Sequence, residues 1–199
     1  MSVDLNNYSF EEWLGFVFDH PVEEPPWFFS TEWEGRPEIV LKYVIELFKN
    51  PGILLDRYSV EQIEQGFWFL LGAFGEVSNW IWDNRISWKL REETIRQMVT
   101  VFENLFTKVR FDQICNMWWD LLRNFDDNPD PKASEAILDA LATILHFDKT
   151  ECQMSALHGL NHLKHPRRKE VIQSFLDSHP NLDEEWKTFA LDAMEGRLL

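Results

Sequence analysis

The sequence predicts an all-α protein. Apolar residues recur at three- and four-residue steps through nearly every segment, and strand-like alternation is scarce. Helix-start signals stand at Ser9, Pro37, Ser59 and Pro131. With 199 residues the chain fits one helical domain, 1–199. A chain of that length hides roughly 70% of its unfolded surface, and ten tryptophans supply bulk for the core.

The elements follow in order. Ser9-Phe10-Glu11-Glu12 is a capping box that opens a short helix running to about Asp19. In the connection 20–35, Pro21, Pro25 and Pro26 rule out a continuous helix. There Trp27, Phe28, Phe29 and Trp33 alternate with Glu23, Glu24, Glu32 and Glu34. A connection this long is either packed by its own side chains or functional.

Pro37 suits a helix start, Val40, Leu41, Val44, Ile45 and Phe48 make one apolar face, and Asn50-Pro51-Gly52 ends it. A second capping box, Ser59-Val60-Glu61-Gln62, begins a helix carrying Ile63, Phe67, Leu70, Leu71 and Phe74. Gly72 and Gly75 break or bend that helix before a segment with Trp80 and Trp82. From Leu90 onward, Ile95, Met98, Val99, Phe102, Leu105, Phe106 and Val109 keep helical step. Ile114, Cys115, Trp118, Leu121 and Leu122 share the side of the next helix. After an acidic turn, Asp130 caps and Pro131 starts a helix with Ile137, Ala140, Leu141, Ile144 and Leu145.

The last segments are short and similarly spaced. Helical stretches at 151–163, 169–178 and 183–194 are separated by brief turns, the first at His165-Pro166-Arg167. The helix at 134–146 starts about 35 positions before the one near Lys169, and that at Glu151 about 33 before the one at Glu184, which fits two-helix repeats. This C-terminal third resembles HEAT-like and armadillo-type helical repeats. The resemblance implies antiparallel hairpins, 134–163 and 169–194, stacked in a right-handed curved array in which each hairpin is stabilised by its neighbours. On this division 130–199 is repeat-like and 1–125 is irregular and aromatic-rich. In such arrays the second helix of each pair lines the concave face, so the side of the 151–163 helix bearing Ser155, His158 and His162 is the expected binding surface.

Charge narrows the function. Nineteen Lys and Arg against 34 Asp and Glu give a net charge of −15, spread along the chain rather than held in a tail. Such a surface repels phosphate backbones, so no nucleic acid is expected, and it favours encounter with a basic protein. No apolar run reaches the roughly 20 residues of a membrane span, and the N-terminus lacks a signal-peptide pattern. Cys115 and Cys152 lie in apolar helical patterns, where thiols stay reduced and inert. A soluble, cytoplasmic protein is expected.

Four groups of residues are candidate sites. On the 151–163 helix, Cys152, Ala156, Leu160 and Leu163 form the apolar face. Glu151, Ser155, His158 and His162 fall opposite, with His165 just past the end. Imidazoles four residues apart on a helix can share a divalent metal. The third ligand would be His165, Glu151 or an acid from a neighbouring hairpin. Gly159 stands where the zinc-protease motif HExxH needs its glutamate, and the His-Glu dipeptides of iron-holding HEAT-like enzymes are absent. No metal or cofactor is therefore favoured, and these polar residues are expected as a partner-contact ridge of Ser155, His158, His162 and His165.

The aromatic connection is the second group. If exposed, Trp27 and Trp33 anchor a partner. If buried, the connection is a lid over the first helix pair, which is favoured because four exposed aromatics make an aggregation-prone patch. The acidic turn of Asp126, Asp127, Asn128 and Asp130 lacks EF-hand spacing and is expected to be a capping turn. Trp118 and Trp119, with Trp80, Trp82 and Trp88, are expected in the core with indole N–H groups bonded to carbonyls. Nucleophile elbow, P-loop and dinucleotide fingerprint are all missing.

These observations predict a non-enzymatic protein-interaction module, monomeric or homodimeric. One form of it is an acidic neutraliser of a basic partner, as toxin-immunity proteins are. The alternatives are a metal-dependent enzyme using the His158/His162 face and a structural subunit of a homo-oligomer that buries the tryptophan-rich N-terminal half.

Overall fold

The computed structural model describes residues 2–111, 113–124 and 129–198. Within them the periodic segments form ten α-helices: α1 (Phe10–Phe18), α2 (Pro37–Lys49), α3 (Val60–Leu71), α4 (Val77–Trp82), α5 (Trp88–Val101), α6 (Ile114–Leu121), α7 (Pro131–Ile144), α8 (Thr150–His162), α9 (Arg168–Ser178) and α10 (Glu184–Glu195). The protein is mostly helical, with one departure from the all-α expectation. Two-residue strands β1 (Val3–Asp4) and β2 (Trp33–Glu34) pair in parallel, Val3 opposite Trp33. The pairing ties the chain start to the aromatic connection, where the Val3 amide donates to the Glu32 carbonyl at 2.9 Å.

The helix starts follow the capping chemistry. Ser9 Oγ accepts from the Glu12 amide while the Glu12 carboxylate accepts from the Ser9 amide at 2.8 Å. Ser59 and Gln62 repeat the exchange at the head of α3. Each box satisfies backbone donors that a helix start leaves orphaned. Asp130 Oδ1 accepts from the Lys132 amide at 3.0 Å, and Pro131 is the first residue of α7. Asp126, Asp127 and Asn128 of the acidic turn lie outside the described residues. At its end α5 continues into a π-helical turn, Phe102–Phe106, in which the Thr107 amide donates five residues back to Phe102.

Packing runs in two rows. α2 lies on α5 and α5 on α7; α3 lies on α6, α6 on α8 and α8 on α10. α1 covers α3, α4 touches α3 and α5, and α9 leans on α8 and α10. Trp118 of α6 is fully buried against Phe48 of α2, Phe67 of α3, and Phe102 and Phe106 of the π-turn, with ring centroids 5.3–5.8 Å apart. Burying each such side chain contributes about 1.5–3 kcal/mol.

The indole expectation needs correcting in part. Trp82 donates to the Leu122 carbonyl at 2.8 Å and Trp33 to the Phe74 carbonyl at 2.6 Å, but Trp118 and Trp119 bury their N–H groups without a protein acceptor. Ring packing on every side leaves no carbonyl within reach of Trp118.

The connection 20–35 is folded over α1 and α3. His20 stacks on Trp27 with centroids 3.8 Å apart and 12° between planes, and Trp27 in turn meets Phe16 and Phe69. Phe28 is buried, whereas Phe29 is 60% exposed beside it.

Candidate functional site

The polar side of α8 faces protein, not water. Ser155, expected on an exposed face, is buried, and its hydroxyl donates to the Cys115 carbonyl of α6. His158 and His162 are half-buried. The physical reason is that α8 packs on α6, α7 and α10 at once. Small residues on the supposedly solvated side make this possible. A Cβ at Gly159 would come within 2.6 Å of Leu141 and 2.7 Å of Trp119.

This close approach brings the i, i+4 histidine pair to Asp120, the one acid in α6. His162 Nε2 lies 3.0 Å from Asp120 Oδ1 and His158 Nε2 lies 3.4 Å from Oδ2. The two imidazole centroids are 4.8 Å apart. All three donor atoms fall within 4.8 Å of one another, and the three side chains are half-buried. Burial pushes the His162 imidazolium to a lower pKa against the pull of Asp120, and the charges of His158 and Arg123 add to the lowering. Buried His158 Nε2 makes no well-directed hydrogen bond despite its nearness to the carboxylate. The Asn161 amide nitrogen sits 3.3 Å from His162 Nδ1 and 3.5 Å from Nε2, alongside the ring, so it does not fix the tautomer.

The remaining predicted site residues are elsewhere. His165 pairs with Glu135 of α7 at 3.0 Å, and Arg167 joins the same carboxylate. Glu151 is engaged by Lys149. The third donor beside His158 and His162 is thus Asp120. Cys115 is buried against the first turn of α8; the neighbouring Cys152 thiol and burial push its thiol well above the usual range, which keeps it protonated.

A second feature lies over α3. Val22, Phe29 and Phe74 are exposed by 54%, 60% and 39%. With Phe28, Trp68 and Leu121 they line an open groove of about 550 Å³ rimmed by Glu24, Glu61 and Glu64. Glu64 is anchored, accepting the Gln113 and Ile114 amides at 2.7 and 2.8 Å and so capping α6. Trp27 and Trp33, the aromatics expected to contact a partner, are half-buried beneath the connection; Phe29 and Phe74 present the apolar surface instead.

No protein-family model, characterised protein or solved structure matches this chain.

Among the described residues no helix is long and apolar enough to cross a membrane.

Asp120 and the Phe29/Phe74 pair escaped the sequence argument. For Asp120 a signal existed: a histidine pair on one helix needs an acid from a packed neighbour, and α6 holds a single one. For Phe29 and Phe74 none did, because helical step assigns Phe74 to a core face that ends at Gly72.

Proposed function

We propose that the protein is an interaction module that takes a basic, amphipathic segment of another protein in the groove over α3. Exposed Val22, Phe29 and Phe74 ringed by Glu24, Glu61 and Glu64 carry this proposal. Apolar anchors inside a charged rim are the usual anatomy of a binding surface. The net charge of −15 would steer a cationic partner to it. An acidic neutraliser of a basic protein, of the toxin-immunity kind, is one form of this function.

The scaffold suits the role. Two rows of helices, α2–α5–α7 and α3–α6–α8–α10, support a stacked-hairpin array similar to HEAT and armadillo proteins, whose extended surfaces bind other proteins. The ridge of Ser155, His158 and His162 is not the surface for it, since α6 covers that side of α8.

The test is capture of a partner by wild-type protein and by a Phe29→Ser/Phe74→Ser variant at low and high salt, with light scattering on the free protein. A basic partner held at low salt, released by salt and lost in the variant is the expected result. Capture that ignores both salt and the substitutions would refute it. Self-association abolished by the same substitutions would instead assign the groove to a homo-oligomer.

A further inference from the structure

We propose that Asp120, His158 and His162 form a binding site for one divalent transition-metal ion, held between α6 and α8. The site is separate from the groove and does not depend on its role.

Geometry is the first support. Ligands that share a metal through bonds of about 2.0–2.2 Å lie roughly 3 Å apart. The carboxylate oxygens are 3.0 Å from His162 Nε2 and 3.4 Å from His158 Nε2, so small side-chain rotations suffice to bring all three donors onto one ion. They come from two packed helices rather than loops, and the contact of Gly159 with Trp119 and Leu141 sets the spacing between those helices. Rigid elements of this kind place ligands more accurately than loops do.

Polar accounting is the second support. Without a cation, Asp120 can accept from both rings, yet buried His158 Nε2 finds no well-directed partner. A buried ring nitrogen left in that state costs about 1–3 kcal/mol. An ion between the two imidazoles would use both lone pairs and balance the Asp120 charge.

The donor set defines the ligand. Two imidazoles and one carboxylate, with no thiolate among them, suit zinc, ferrous iron or manganese better than soft ions or calcium. Three protein ligands leave at least one coordination position open, as sites that bind water or substrate do. A cavity of about 30 Å³ reaches His162, walled by Trp119, Leu122, Pro129 and Gly159, and is large enough for a water-sized ligand.

The experiment uses full-length protein purified without an affinity tag and stripped of metal. Titration with zinc chloride in a calorimeter should give one site per chain, and cobalt(II) should give the visible spectrum of a nitrogen–oxygen site. Asp120→Asn should weaken zinc binding by more than about 100-fold, since even an outer-shell partner is worth about 10–100-fold. His165→Ala, away from the site, should leave it unchanged. The proposal fails if wild-type protein binds neither ion, or if binding survives in Asp120→Asn and in a His158→Gln/His162→Gln variant. Should the variants not fold, the wild-type cobalt spectrum decides alone, with absence of nitrogen-ligand bands counting against the site.

Discussion

Arg91 and Asp130 form a closed ion pair, 2.6 Å from Nη1 to Oδ2, with the Arg91 side chain only 4% exposed. The same guanidinium donates to the Ile81 and Ile86 carbonyls, both at 3.2 Å, while the other Asp130 oxygen caps α7. The Trp88 ring lies 5.2 Å from the Arg91 guanidinium carbon. A single cation thus joins α4, the turn into α5, and the start of α7.

Arg91→Met should cost about 3 kcal/mol or more, because it strands a largely buried carboxylate and two carbonyls. Urea unfolding measures this. The double variant Arg91→Met/Asp130→Asn should recover part of the loss, since the stranded charge is gone. A loss under about 0.5 kcal/mol, the size expected for a surface site, would show that the pair is not closed to solvent.

The pair also predicts an acid limb. Burial raises the Asp130 carboxyl pKa, but the Arg91 guanidinium and the Lys132 amide outweigh it and hold the pKa below the ordinary aspartate value. A folded-state pKa below the unfolded one contributes stability that is fully present above the unfolded value of about 3.9 and is lost as pH falls toward the folded value. Arg85 holds Asp83 lower still, at about 2, but that pair is solvated and contributes little. Asp130→Asn keeps the cap and removes the charge, so its urea midpoint should fall less than that of wild type below about pH 4. Parallel curves in that range would contradict the assignment.

Gly159→Ala sets two effects against each other. Alanine favours a helix over glycine by about 1 kcal/mol, but its Cβ would press into Leu141 and Trp119. Overpacking of this kind costs about 1–3 kcal/mol. The expected outcome is net destabilisation in thermal melts; a more stable variant would mean that α6 and α8 yield at this contact.

Phe28 and Phe29 should separate sharply. Phe28→Ala empties a buried position and should cost about 3 kcal/mol or more. Phe29→Ser, at a 60% exposed position, should stay within about 0.5 kcal/mol. Equal losses at both positions would place Phe29 in the core and remove the groove.

Local chemistry made much of the fold legible. The boxes at Ser9 and Ser59, proline at 37 and the Asp130-Pro131 cap act within a few residues, so their consequences can be read without knowing the tertiary partners. The side of α8 was harder to read. Ser155, His158 and His162 look like a solvated stripe until α6 is laid over them, and the hint lay in the small residues Ser155 and Gly159, one turn apart. Asp120 was legible only as an acid on a tryptophan-bearing helix. Its partnership depends on which helix lies beside which, and local periodicity carries no trace of that.

The π-turn at Phe102–Phe106 holds one residue more than an α-helix of the same rise would need. Excising Glu103, whose side chain is exposed, would restore α geometry and rotate everything after it by about 100° relative to α5. Phe106 would then leave its contacts with Phe102 and Trp118. The extra residue is a phase shift written into the chain: Ile95 and Met98 pack on one heading, Phe102 and Phe106 on another, and a single-codon deletion would force the helix to choose between them.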